Sequence, residues 1–170
     1  MSQKGAGIDL DKSLGYLLKE ASSALRTAME EVLRPLGMSV THYSCLELLA
    51  QRPGLSNSEL ARGAFVTRQS MNVLLQALER DGYVTRPAEP PVGKALPARL
   101  TPRGRRSLEK ATVAVRSVEL RMLAGMTESE QAGAFRILES MIHSLHETAA
   151  GAARSPTRPA AAPPSEPTSG

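Results

Sequence analysis

The sequence predicts a mainly helical protein that carries one small antiparallel β-hairpin. Two observations indicate this fold class, and a third limits the folded part of the chain. Apolar residues recur three and four positions apart over most of residues 8–150, which is the period of an amphipathic helix. Strand-forming residues lie on both sides of a loop that is rich in proline and glycine. Residues 151–170 are mostly Ala, Pro, Ser, Thr and Gly without apolar periodicity, so we expect a disordered tail.

Length and composition restrict the class of protein further. The 170 residues suffice for one domain with a sizeable core. The single cysteine, Cys45, excludes an intramolecular disulfide and an all-cysteine zinc site, and it fits a reducing compartment. Residues 1–7 are polar and Gly-rich, so we expect a disordered N-terminal segment. They lack the apolar stretch of a signal peptide, and no run approaches the ~18 apolar residues of a membrane span. We therefore expect a cytoplasmic protein.

Two helices open the predicted domain. The first covers residues 8–36, where apolar side chains fall on one helical face, and Pro35 and Gly37 end it. The second covers residues 41–51 and stops at the Arg-Pro-Gly triplet that follows.

The next two helices are joined by a tight connection. Ser56 and Glu59 have the spacing of a capping box, which predicts the start of a short helix that Gly63 breaks. Thr67 is a cap for a further helix, which is expected to end at Asp81 and the glycine after it.

A hairpin and two long helices complete the domain. Residues 83–85 and 95–100 are the predicted strands, with a flexible tip between them. Thr101, followed by proline, starts a helix that continues to about Leu123. A second capping box, Thr127 with Glu130, starts a last helix whose apolar face carries Phe135, Leu138, Ile142 and Leu145.

This order of elements is that of a winged helix-turn-helix, and the charge follows it. Residues 62–106 contain nine basic and three acidic residues, a net charge of +6, whereas the whole chain carries +4. The rest of the chain is therefore net negative. Because attraction to phosphates depends on local positive charge, this segregation favours binding to duplex DNA. Aromatic residues make up only 3% of the chain, which argues against stacking on single strands.

The helix after the tight connection is the predicted recognition helix. Its first turns are polar, and a recognition helix enters the major groove with its N-terminal end. The predicted groove contacts are Thr67, Arg68, Gln69, Ser70 and Asn72. The alternative is an ordinary exposed first turn that touches no ligand.

Five spaced motifs carry a resemblance to a known family. They are residues 39–43 (SVTHY), 56–61 (SNSELA), 67–72 (TRQSMN), 78–84 (LERDGYV) and 100–104 (LTPRG). Together they resemble the MarR family of bacterial transcription regulators, over residues 14–145. The resemblance implies a homodimer that represses transcription and reads a pseudo-palindrome in double-stranded DNA, with half-sites ~34 Å apart. On this basis we expect residues 39–106 to bind DNA, and residues 8–36 and 101–150 to form the dimer.

The wing departs from the family pattern. Val92, Gly93 and Lys94 stand where members commonly carry an Asp and Arg cluster, so Lys94 keeps a charge without an orienting carboxylate. The alternative for Lys94 is a solvated loop lysine. Basic residues at a helix N-terminus oppose the macrodipole, which favours a phosphate counter-ion there. The predicted phosphate or wing contacts are Arg86, Lys94, Arg99, Arg103 and Arg105.

The resemblance also implies a regulatory ligand, often an aromatic acid, in a crevice between the dimer helices and the winged unit. Candidate residues for this site are Tyr16, His42 and Tyr43, and the alternative for each is packing in the core or the dimer interface. Binding would favour a dimer that is wrongly spaced for DNA.

Other chemistries find little support. Cys45 lies beside the core face of its helix without an adjacent base, which favours packing over redox sensing. His143 and His146 have the spacing of two metal ligands, but no third ligand is evident, so we expect no metal. No catalytic motif is present, and we expect neither an enzyme nor a cofactor. A winged-helix scaffold that binds only proteins is the alternative function.

Overall fold

The computed structural model describes residue 7, residues 9–86 and residues 98–152. It confirms the mainly helical fold with one hairpin. The elements are α1 (Leu14–Leu33), α2 (Val40–Gln51), α3 (Asn57–Gly63), α4 (Arg68–Arg80), β1 (Val84–Thr85), β2 (Arg99–Leu100), α5 (Pro102–Leu123) and α6 (Glu128–Ala152). The chain divides after Ala124 into two compact units. In the described part of the chain, no helix has the length and apolar character needed to cross a membrane.

The first predicted helix is shorter than its apolar pattern. Ser13 has an extended backbone and its hydroxyl caps α1, so residues Leu10–Lys12 form a separate 3-10 turn. At the other end, Pro35 has no N–H to continue the α-helical ladder, and Arg34–Leu36 form a second 3-10 turn. The prediction of one helix over residues 8–36 was therefore wrong at both ends.

The core of the first unit is assembled from α1 to α5 and the hairpin. Its largest fully buried side chains come from the four helices before the hairpin: Leu33, Cys45, Leu46, Leu60, Met71 and Leu78. The hairpin adds Val84 and Ala98, and α5 adds Leu108 and Ala111. The helix-turn-helix and the hairpin are therefore fixed to the same apolar cluster.

The hairpin is short and is tied to the start of α5. Val84 pairs with Leu100 and Thr85 with Arg99, in antiparallel register. The predicted first strand began one residue too early, because Tyr83 follows Gly82, which turns the chain with a φ of 76°. The predicted strand residues 95–97 lie outside the described residues.

The second unit contains α6. The N–H of Thr127 donates to the Glu130 carboxylate at 2.7 Å, and the N–H of Glu130 donates back to the threonine hydroxyl at 3.3 Å, as the capping box predicts. The helix ends at Ala152, two residues beyond the predicted boundary. Residues 153–170, and all of the predicted N-terminal segment except Gly7, lie outside the described residues.

Candidate nucleic-acid interface

Helix α4 has one buried face and one exposed polar face. Met71, Leu75 and Leu78 are at most 2% exposed and anchor the helix to the core. The exposed residues in its first three turns are Arg68, Gln69, Ser70, Asn72, Val73 and Gln76. Four of the five predicted groove contacts lie among them, and the fifth, Thr67, directly precedes the helix. Sequence reasoning missed Val73 and Gln76, although both follow from the helical period of the polar face.

The start of α4 is held by two local contacts. The Thr67 hydroxyl accepts the N–H of Ser70 at 3.1 Å and lies 2.9 Å from the Ser70 hydroxyl, so these side chains mainly cap the helix. The Asn57 amide donates to the carbonyl oxygen of Arg68 at 3.2 Å and links α3 to α4. Among the described residues, the side chains of Arg68, Gln69 and Asn72 have no hydrogen-bond partner. They are thus available to a ligand.

Ion pairs divide the arginines of α4, the hairpin and the start of α5 into two groups. Arg86 donates from its Nε and one Nη to the Glu79 carboxylate, at 2.9 and 2.5 Å, and only 21% of its side chain is exposed. Arg80 contacts Asp81 at 3.3 Å. A second group of exposed arginines has no carboxylate within 4.0 Å in the part of the chain that the structure describes: Arg68, Arg99, Arg103, Arg105 and Arg106.

This division changes the interpretation of one predicted phosphate contact. Arg86 fastens the hairpin to α4 through Glu79, a contact that the sequence analysis did not predict. Its proposed role in phosphate binding is then secondary to a structural one. Arg99, Arg103 and Arg105 have no carboxylate partner among the described residues, as a phosphate site requires, and Lys94 lies outside those residues.

Three side chains are packed in series at the base of the hairpin. The rings of His42 and Tyr83 meet edge to face, with centroids 5.3 Å apart, and the Arg103 guanidinium lies 4.8 Å from the centre of the Tyr83 ring. The Thr101 hydroxyl donates to the carbonyl oxygen of Gly82 at 2.7 Å. This packing joins α2, the hairpin and α5, and it sets the position of Arg103.

His42 is partly buried. Its Nε2 is buried and has no hydrogen-bond partner among the described residues. Burial lowers the pKa of His42, and the charge of Asp81 offsets this shift only in part. The imidazole is therefore neutral at physiological pH, which suits packing against Tyr83.

The three predicted effector residues do not form an aromatic cluster. Tyr16 is 40% exposed on α1, whereas Tyr43 packs against the core and burial raises its pKa. Within the described residues, the one pair of contacting rings is His42 with Tyr83. Sequence reasoning missed a cavity of about 330 Å³ beside Tyr83. It is lined by Leu36, Tyr83, Arg103, Arg106, Ser107 and Lys110.

Cys45 is fully buried in α2. Burial raises the pKa of its thiol to about 12, which keeps it protonated and unreactive. This environment agrees with the predicted packing role.

A helix-turn-helix, a hairpin and exposed arginines that have no carboxylate partner in the described part of the chain define the winged helix-turn-helix class of transcription regulators. A sequence model of the MarR family matches residues 36–95. The HTH-type transcriptional repressor Rv2887 of Mycobacterium tuberculosis is 44% identical over 135 residues, which cover 79% of this chain and 97% of the relative. The chain therefore belongs to the MarR family.

Solved structures agree with this assignment. The Mycobacterium tuberculosis MarR family protein Rv2887 in complex with salicylic acid aligns with a TM-score of 0.64, over 77% of this chain and 97% of that one, at 44% identity. A complex of Rv2887 with DNA also aligns with a TM-score of 0.64, over 77% of this chain and 98% of that one, at 43% identity.

Proposed function

We propose that the protein is a homodimeric transcriptional repressor that binds a pseudo-palindromic operator in double-stranded DNA and is released by a small aromatic acid. The observation that carries this proposal is the exposed face of α4, where Arg68, Gln69 and Asn72 are free of partners among the described residues. Such a regulator works on the chromosome, so we infer a cytoplasmic location. The proposal assigns the chain no catalytic role.

The chemistry of α4 suits base readout in the major groove. An arginine forms two hydrogen bonds with guanine, and glutamine or asparagine does so with adenine. Arg68, Gln69 and Asn72 supply these groups within the first turns of the helix, the part that enters the groove first. In this arrangement Thr67 and Ser70 cap the N-terminal end of α4 and contact the phosphate backbone of the DNA.

Phosphate contacts would hold the domain on the duplex. Arg99 follows the wing loop, and Arg103 and Arg105 lie in the first turns of α5. All three are exposed without a carboxylate partner in the described part of the chain. Lys94, in the wing that the sequence predicts, is a further proposed contact outside the described residues, and Arg86 belongs to the set only if a phosphate competes with Glu79.

The relative Rv2887 has been solved with salicylic acid, which supports an aromatic acid as effector. The cavity beside Tyr83 has the chemistry for such a ligand, because Arg106 and Lys110 attract a carboxylate while Leu36 supplies an apolar wall. Tyr16, His42 and Tyr43 remain the alternative site. The effector acts only if it binds the released form more tightly than the DNA-bound form.

The first experiment measures DNA binding. A duplex is selected from a random library with the wild-type protein, and its affinity is measured by fluorescence anisotropy over a series of salt concentrations. We expect affinity to fall steeply with salt, and Arg68→Ala to weaken binding by roughly tenfold to a hundredfold. Arg80→Ala is the matched control, because Arg80 lies at the other end of α4 and contacts Asp81. Failure to select any duplex would favour the protein scaffold.

The second experiment measures release. Salicylate is titrated into the protein bound to its duplex, with wild type, Arg106→Ala and His42→Ala in parallel. We expect Arg106→Ala to require more salicylate for half-release. A loss of response in His42→Ala alone would move the effector to the alternative site, and no response in wild type would exclude salicylate as the effector.

A further inference from the structure

Two large apolar side chains are exposed in the DNA-binding half of the described chain. Between residues 39 and 101 they are Phe65, which is 94% exposed, and Val73, which is 61% exposed. The other exposed large apolar residues lie in α1, α5, α6 and the turns that flank α1, where the proposed dimer interface would cover them. Phe65 and Val73 instead lie just before and within the recognition helix.

The helical period puts Val73 on the proposed DNA face. Val73 follows Gln69 by four residues and Asn72 by one, so the three side chains project from the same side of α4. Met71 and Leu75 are each two positions away and are buried on the opposite side. Val73 therefore lies within the polar surface that is proposed to read bases.

Folding alone does not favour a valine at this position. A β-branched residue is a weaker helix former than Gln, Lys or Glu, and an exposed valine leaves apolar area in water. An apolar group on a bound partner would remove that area from water. In the major groove the apolar group of the bases is the C5-methyl of thymine.

We propose that Val73 is a specificity-determining residue that contacts the C5-methyl group of one thymine in each half-site, next to the bases read by Gln69 and Asn72. The inference rests on the proposed function, because it requires α4 to lie in the major groove. It adds to the selection of thymine an apolar contact with its methyl group, which hydrogen bonds to the bases do not supply. The short side chain requires the helix backbone to lie close to that base.

The test removes the methyl group from either side of the contact. Thymines in the selected duplex are replaced one symmetric pair at a time by deoxyuridine, which lacks the methyl group but keeps every hydrogen-bonding atom. For the wild type we expect one pair to weaken binding by about fourfold per half-site, or about fifteenfold for both, as burial of a methyl group implies. Val73→Ala should weaken binding to the thymine duplex by a similar factor.

The decisive result is the combination of the two changes. With Val73→Ala, the ratio of affinities for the thymine and deoxyuridine duplexes should fall towards one. Val113→Ala is the matched control, because Val113 is a 74% exposed valine on α5, outside the proposed DNA face. A weaker dimer would lower the affinity for both duplexes alike, so this variant should keep the wild-type ratio. Because both valines are exposed, neither change opens the core.

The outcomes separate this inference from the function on which it rests. A selected duplex whose thymine ratio survives Val73→Ala, or one in which no deoxyuridine pair alters wild-type affinity, overturns the role of Val73 and leaves the repressor intact. If no duplex can be selected at all, the proposed function fails, and the inference fails with it.

Discussion

Gly104 illustrates how a single residue fixes the wing against the rest of the domain. It lies in the first turn of α5, and a Cβ at this position would overlap the carbonyl oxygen of Tyr83. The same oxygen accepts the N–H of Thr101 at 3.1 Å. Close approach of two backbones, and not an unusual φ, therefore requires glycine here.

We expect Gly104→Ala to lower the free energy of unfolding by about 1–3 kcal/mol, because backbone has to move to admit the methyl group. Gly133→Ala is the control. Gly133 lies within α6, and a Cβ added there would meet no atom within 4 Å, so alanine should stabilise the helix by up to about 1 kcal/mol. Urea denaturation followed by circular dichroism measures both. Equal stability of the two variants would contradict the close contact.

The thiol of Cys45 gives a second prediction that concerns a single residue. Since the thiolate is the reactive form, a pKa of about 12 and complete burial should protect it from alkylation in the native protein. We expect iodoacetamide to label it only after unfolding in urea, as measured by mass spectrometry. Rapid stoichiometric labelling of the folded protein at neutral pH would contradict this, and would support redox sensing.

Among the helices, the sequence predicted the starts of α3, α4 and α5 better than the contacts between helices. The caps at Ser56, Thr67 and Thr101 are local, since each side chain bonds an N–H three residues on, and all three are where the sequence predicted them. The contact between Asn57 and Arg68 joins residues eleven apart through the fold. No periodicity or spacing encodes such a contact.

The same limit applies to the candidate site. The polar start of α4 is visible in the sequence, because it needs only a cap and a helical period. The pairing of Arg86 with Glu79 depends on how the hairpin lies against α4. A count of charged residues in the sequence therefore cannot distinguish Arg86 from the cations that have no ion pair. The cavity beside Tyr83 likewise depends on residues from three separate segments.

The two capping boxes make stability depend on pH. Hydrogen bonds from Ser56 lower the pKa of Glu59, and those from Thr127 lower the pKa of Glu130, each from an ordinary value of 4.5. A lowered pKa in the folded state stabilises it above the unfolded pKa, and this contribution is lost as the pH falls through the folded value. The stability contributed by the two capping boxes is therefore lost at pH values below about 4.5.

We expect the double variant Glu59→Gln, Glu130→Gln to lose less stability on acidification through this window than the wild type does. Glutamine still accepts the capping hydrogen bonds but does not titrate. Urea denaturation at a series of pH values measures the difference. Parallel pH profiles for wild type and variant would show that other carboxylates govern acid unfolding. Glu139→Gln, at an exposed position of α6, is a control for charge alone.

For the whole molecule, charge and apolar surface fall in different elements. The arginines without carboxylate partners in the described chain include those of α4, β2 and the start of α5 named above, whereas the exposed leucines and isoleucines belong mainly to α1, the later part of α5 and α6. Exposed apolar area of this extent is unfavourable in a monomer. The distribution supports a division between a DNA-binding part and dimerising helices.

This division predicts what a charge in the apolar surface should do. Leu17 in α1 and Ile142 in α6 are 51% and 55% exposed in the single chain, so Leu17→Glu and Ile142→Glu should leave the fold of the monomer intact. We expect wild type to sediment as a dimer of the 18.2 kDa chain and each variant to shift towards the monomer. Lys19→Glu, an exposed polar position in α1, is the matched control and should remain dimeric.

Because two linked half-sites bind far more tightly than separate ones, both monomeric variants should also lose operator affinity by a factor of about a hundred or more. Sedimentation of the wild type as a monomer would contradict the dimer and would require another partner for the apolar helices.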